Sequence, residues 1–284
     1  MTEKREENNN AGYKILFTAL GLYAFLLLPT AALAEIKAGV FSPTRVILEG
    51  RKRSETVQLI NRDAVTNTYK ISMVLMEMDD QGSLVAINNP TPSQQAVKDM
   101  FRFSPRRATL APGAYQNIRL MVRKPANLPT GEYRVHLRAA VLPSPPGTAP
   151  SPSEQQGNVH LNILVHISIP IIARHGQGSV SVIPQTCVLE KESKRLAVQL
   201  QRTGEYSAYF GLVAYVLGSD GTKQKIAQKL GVGYYPPATQ RTFHLPLEQP
   251  ERAYSLAGQR IFLEILNYEN LNEPAKGPWE FVLN

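Results

Sequence analysis

From Val159 to Ile169 every second residue is aliphatic: Val159, Leu161, Ile163, Val165, Ile167 and Ile169, with His160, Asn162, His166 and Ser168 between them. Only Leu164 departs from the alternation. A repeat of two belongs to a β-strand, whose side chains point alternately to its two faces. At ~3.3 Å per residue the run would reach about 36 Å, well beyond a typical strand. Two architectures fit such a strand. It can be a long core strand, or it can lie at a sheet edge and offer another protein an apolar row beside a line of backbone donors and acceptors. In the second case each apolar side chain buried by the partner contributes roughly 1.5–3 kcal/mol, so four or five of them hold it firmly.

The same two-residue repeat recurs along the chain. Val46 and Leu48, Val57 and Leu59, and Tyr69, Ile71 and Met73 mark three strands. Ile118, Leu120 and Val122 follow the turn at Ala111-Pro112-Gly113, and Tyr133, Val135 and Leu137 follow Leu128-Pro129-Thr130-Gly131. Proline and glycine stand where a chain reversal needs them. Residues 143–157 are rich in Pro, Ser and Gly without apolar periodicity, which predicts a mobile loop ahead of the long strand. The sequence Ala-Arg-His-Gly-Gln-Gly at 173–178 interrupts the pattern, and strand-like runs resume at Val180, Val198 to Leu200, Phe210 to Leu217 and Phe262 to Leu266. Short strands separated by turns, with almost no helix, predict an all-β chain built as sandwiches. Two domains are expected, 35–174 with the long strand at 159–169, and 175–284.

Residues 1–34 read as a cleaved export signal. Lys4, Arg5 and Lys14 precede the apolar stretch Ile15 to Leu28, and Ala32-Leu33-Ala34 supplies the small residues before a cut at Glu35. The apolar stretch falls short of the roughly 20 residues of a membrane span, so no membrane insertion is expected after cleavage. The signal's three basic and three acidic residues cancel, leaving the mature chain with the whole net charge of +8 and a bias toward acidic partners. Export argues against nucleic acid. The only cysteine, Cys187, rules out an intrachain disulfide and sits in the apolar run Thr186-Cys187-Val188-Leu189, the setting of a small buried side chain.

Nothing in the chain carries a catalytic signature. The histidines at 136, 160, 166, 175 and 244 form no metal-ligand pattern, and His160 and His166 would stand about 20 Å apart along a strand at ~3.3 Å per residue. No nucleophile elbow, phosphate loop or dinucleotide fingerprint occurs. No enzyme activity, cofactor or metal is expected.

The set Ser42-Pro43-Thr44-Arg45-Val46, Phe103-Ser104-Pro105-Arg106, Leu110-Ala111-Pro112-Gly113-Ala114-Tyr115-Gln116, Gly131-Glu132-Tyr133-Arg134 and Ile169-Pro170-Ile171-Ile172-Ala173-Arg174 resembles the periplasmic pilus-assembly chaperones of the chaperone–usher pathway. The likeness covers residues 41–175, the second half matches loosely, and the motif forms look more like the branch outside the type-1 and P-pilus chaperones. This resemblance implies two immunoglobulin-like β-sandwich domains in a boomerang, a periplasmic location, and donor-strand complementation of fimbrial subunits that are then delivered to an outer-membrane usher. Val159, Leu161, Ile163, Val165, Ile167 and Ile169 would form the donor row, and the free protein could cap that row by dimerising. The resemblance also implies two cleft cations that bind the subunit's terminal carboxylate. Arg45 matches the first. Pro170 stands at the second, lysine, position, and Arg119, Arg123, Arg134 or Arg174 could replace it, with Arg119 and Arg123 the candidates chosen. An interdomain ionic triad would comprise Glu132, Arg174 and, as nearest acid to the third place, Glu269. The alternative is an exported immunoglobulin-like adhesin or structural surface subunit, for which the same strands, export signal and charge would serve.

Overall fold

The computed structural model describes residues 39–79, 83–143 and 166–284. Val159, Leu161, Ile163 and Val165, the export signal and almost all of the expected loop at 143–157 lie outside them. The strands are β1 Val40–Ser42, β2 Val46–Leu48, β3 Ser54–Ile60, β4 Asn67–Val74, β5 Met76–Met78, β6 Leu84–Ala86, β7 Phe101–Ser104, β8 Arg107–Leu110, β9 Tyr115–Val122, β10 Gly131–Val141, β11 His166–His175, β12 Ser181–Glu190, β13 Arg195–Thr203, β14 Ala208–Leu217, β15 Lys223–Tyr234, β16 Gln240–Pro246, β17 Arg260–Asn267 and β18 Lys276–Val282. Among the described residues one α-helix, α1, spans Pro92–Asp99.

Alternation decides which faces are buried. Val57, Leu59, Ile118, Leu120, Val135 and Leu137 are all fully buried, and each is an inward member of a two-residue repeat. Sheet β1-β3-β9-β7 and sheet β2-β11-β10-β4-β8 enclose a first core that runs from Phe41 to Ala173. Sheet β12-β13-β16 and sheet β15-β14-β17-β18 enclose a second core from Val182 to Leu283. The chain is therefore all-β, built as two sandwiches each with its own core.

The passage from one core to the next is short. Gly176 adopts φ +75°, and a Cβ there would stand 2.3 Å from Thr130 Oγ1, so both the backbone angle and the space call for glycine. In the first sandwich Asn61, fully buried, ties three segments together. Its amide donates to Val65 O and Leu110 O at 2.8 and 2.9 Å, and its Oδ1 accepts from the Tyr69 hydroxyl at 2.9 Å.

Cys187 is buried in the second core, and burial pushes its thiol up to about 12. A thiol reagent at pH 8 should leave it unlabelled in the native protein and react at once when urea unfolds it. Rapid labelling of the native protein would show that β12, an edge strand, opens readily.

Candidate functional site at the junction of the sandwiches

Of the expected run at 159–169, residues 166–169 are described, and they open β11. It pairs antiparallel with β10 along its whole length, Ala140 facing His166 at one end and Gly131 facing His175 at the other. On its other side β2 pairs in parallel with Ile171–Ala173 only. Among the described residues, 166–170 therefore have no strand on that side, and this half of β11 is a sheet edge. Its apolar row points inward. Ile169, Ile171 and Ala173 are core residues and Ile167 packs at the core's margin, while His166 and Ser168 face solvent. Ile169 is thus already buried by its own sandwich.

Where β11 ends, an ionic cluster joins the two halves. The register sets Glu132 of β10 directly opposite Arg174 of β11. Arg45 immediately precedes β2, whose pairing with β11 brings it to the same place. From the second sandwich come Ser207, just before β14, Tyr235, just after β15, and Glu269, just after β17. Glu269 is presented by a turn in which Asn267 Oδ1 accepts from the backbone N–H groups of Glu269 and Asn270, at 2.9 and 3.2 Å.

Arg174 donates from Nε to Glu132 Oε2 at 3.2 Å, and from Nη2 to both carboxylate oxygens of Glu269 at 3.0 Å. Burial works against charge on Arg174, but Glu269 and Glu132 outweigh it and hold its pKa above the ordinary value. Glu132 Oε2 also accepts from the Ser207 backbone N–H at 2.9 Å and hydroxyl at 2.7 Å. Arg45 donates to Glu269 Oε1 at 2.9 Å, Ser207 Oγ at 2.7 Å and the Tyr235 hydroxyl at 3.2 Å, and lies over the rings of Tyr209 and Tyr235. The two guanidiniums and two carboxylates are largely buried, with side-chain exposures of 8% for Arg45, 9% for Arg174, 1% for Glu132 and 21% for Glu269, while Glu49, 3.7 Å from Arg174, is 60% exposed at the rim.

The structure brings Arg45, Glu132, Arg174 and Glu269 into this one cluster. It gives Arg45 a different position from that expected of an unoccupied carboxylate anchor, because its guanidinium is already bonded to Glu269. Arg119 and Arg123 do not reach the junction. They alternate with the buried Ile118, Leu120 and Val122 on β9 and just beyond it, so strand parity turns them to solvent. That corrects their assignment as anchor cations. Lys124, one residue on, does reach the cluster and donates from Nζ to the carbonyl oxygen of Arg174. Arg134 also lies at the junction, 3.8 Å from the centre of the Tyr235 ring, with Nη2 donating to Met76 O at 3.2 Å. The reading of the residues did not single out Ser207, Tyr235 or Lys124, and no local pattern marks them.

Comparison with known proteins places the chain beside several solved structures. No family model matches the sequence, and no curated protein matches it. The chaperone–tip adhesin complex of CFA/I fimbriae biogenesis is 14% identical, covering 84% of this chain and 96% of that chain at a TM-score of 0.43. The class 5 fimbriae chaperone CfaA is 14% identical over 85% of this chain and all of that chain, at 0.42. The CsuC–CsuE chaperone–tip adhesion subunit complex of Acinetobacter baumannii is 12% identical over 87% of this chain and 99% of that chain, also at 0.42. In its own residues and geometry the chain consists of two β-sandwiches locked by a buried ionic cluster at the root of a half-open edge strand.

Proposed function

We propose that this chain is an exported, non-enzymatic assembly chaperone that binds fimbrial subunits by lending them a β-strand in the periplasm and passes them to an outer-membrane usher. The observation that carries the reading is the open edge of β11. Residues 166–170 have a strand on one side only among the described residues, and the sequence ahead of them continues the apolar repeat with the same parity through Val165, Ile163, Leu161 and Val159. A strand extended from β11 would carry these four side chains on the face that Ile167 and Ile169 already use. They would enter a partner's groove while backbone hydrogen bonds extend the partner's sheet. Because Ile169 belongs to its own core, the part lent would be Val159 to Val165, with Ile167 at the margin. An unoccupied strand of this kind could also pair with its copy in a second molecule, giving a self-capped dimer.

The test is co-expression of the full chain, signal included, with a candidate pilus subunit lacking its N-terminal extension, followed by size-exclusion chromatography of the periplasmic extract. The expected result is a one-to-one complex. Ile163→Asp with Val165→Asp should reduce capture at least a hundredfold, since two buried aliphatic side chains at ~1.5–3 kcal/mol each are lost, while the melting temperature of the free protein hardly moves. If the double variant unfolds, the run is core and the reading fails. If the protein elutes alone beside aggregated subunit, an adhesin or surface subunit becomes the better account.

A further inference from the structure

The outward positions of sheet β1-β3-β9-β7 carry arginines and no carboxylate. Register sets Arg102 of β7 and Ser54 of β3 on either side of Met121 of β9. Arg119 and Arg123 stand two residues from Met121 along its own line, roughly 6.6 Å away in each direction. Arg53 joins them immediately before β3, its carbonyl oxygen accepting from the Val122 N–H at 2.9 Å. Met121 is 45% exposed among these four guanidiniums, and the outward neighbours Thr56, Gln58, Ser104 and Asn117 are uncharged. Arg102 is held in place by its Nη1, which donates to the carbonyl oxygens of Asp99 and Phe101 at 2.6 and 2.9 Å. Glu55 lies on the opposite face of β3 and pairs with Lys52. Asp99 borders the same surface depression as Arg102 and Arg123, but its side chain accepts from Gln95 Nε2 at 2.8 Å. Among the described residues no ion pair joins a carboxylate to Arg53, Arg102, Arg119 or Arg123. Four like charges gathered without a counter-charge create a positive field that draws an anionic partner.

We propose that this face holds the protein peripherally on an anionic phospholipid surface, with the four guanidiniums among the headgroup phosphates and Met121 reaching between them. All four cations are arginines, whose planar fork matches phosphate oxygens two at a time. A folded protein partner has its register fixed by contacts of both signs, whereas the outward positions of these strands offer one sign only. A headgroup layer is fluid and meets that pattern in any register. Each basic residue near such a surface strengthens binding about fivefold, so four acting together hold a molecule that one would not. The attachment is electrostatic and reversible, since Met121 alone supplies little apolar anchoring. The open half of β11 belongs to the other sheet of the sandwich, so a docked molecule keeps it free. The inference goes beyond strand lending and does not depend on it.

The test is vesicle flotation of the exported protein, checked by mass for removal of Ile15 to Leu28, an apolar stretch that would bind any bilayer. Vesicles of phosphatidylcholine and phosphatidylglycerol in equal parts should carry the protein up the gradient at low salt, and vesicles of phosphatidylcholine alone should not. Raising the salt to about 1 M, where the screening length falls to roughly 3 Å, should release it. Arg119→Gln and Arg123→Gln should each weaken binding about fivefold. Arg119→Glu with Arg123→Glu should abolish it without moving the melting temperature, since both side chains face solvent. Lys229→Glu, an exposed position on the second sandwich, should leave it nearly unchanged. Equal binding to both vesicle types, no binding to either, or binding that survives the double reversal would overturn the assignment. Binding of poly-glutamate without binding of anionic vesicles also overturns it, and makes the face a docking site for an acidic protein. Subunit capture separates the two proposals: a protein that floats but captures no subunit retires strand lending alone, and one that captures subunit without floating retires the membrane face alone.

Discussion

Arg174→Ala should lower the stability of the protein by about 3–5 kcal/mol in urea unfolding at pH 7, the range seen when one member of a buried charge network is removed. The loss falls mainly on what remains. The Glu132 side chain is only 1% exposed, and without Arg174 it keeps two hydrogen bonds from Ser207 but no cation at bonding distance. Glu269→Gln should cost less. That carboxylate is 21% exposed, so water can solvate what is left, and an amide oxygen can still accept from Arg45 and Arg174. The network as a whole need not stabilise the fold over an apolar packing of the same shape, because desolvating four charges offsets much of their attraction. Its consequence is orientation: bonds from Arg45 and Arg174 to Ser207 and Glu269 cross from one sandwich to the other. An Arg174→Ala protein as stable as the wild type would show that the two sandwiches do not depend on this contact.

Lowering the pH from 7 to 5 should cost the fold about 2 kcal/mol through His136 alone. The residue is 1% exposed on β10 with both ring nitrogens unpaired. Burial, together with the charges of Arg134 and Arg45, depresses its pKa to about 3. The folded state therefore binds fewer protons than the unfolded chain between pH 3 and about 6.5, and stability rises with pH across that window. The contribution is complete above pH 6.5 and drains away as the pH falls toward 3. His136→Leu should flatten the pH 5–7 slope and leave stability at pH 7 unchanged or slightly higher, since two unsatisfied buried nitrogens disappear. If the slope is the same in the variant, His136 is not the group responsible.

Much of the fold was legible because burial in a sandwich is a local property of the chain. A residue and its second neighbour share a face wherever the strand lies, so Val57 and Leu59, Ile118 and Leu120, and Val135 and Leu137 could be assigned to the core without knowing which strands pair. Helix α1 escaped that reading for a related reason. Its Thr91–Gln94 capping box and Pro92 at the first turn are local signals, but it buries no residue and so carries no apolar stripe. Glu132 and Arg174 were readable as partners through a resemblance, and the β10–β11 register sets them opposite each other.

The sequence by itself determined an all-β chain, the faces its strands bury and the apolar repeat that leads into β11. The tertiary structure alone decided which cations remain available at the junction. Arg45 meets Glu269 across 224 residues and Ser207 across 162, and strand parity turns Arg119 and Arg123 outward while Lys124 reaches in. Charge is written residue by residue, but whether a charge is neutralised depends on which distant carboxylate the packing of two sandwiches sets within 3 Å of it, and no local pattern encodes that distance.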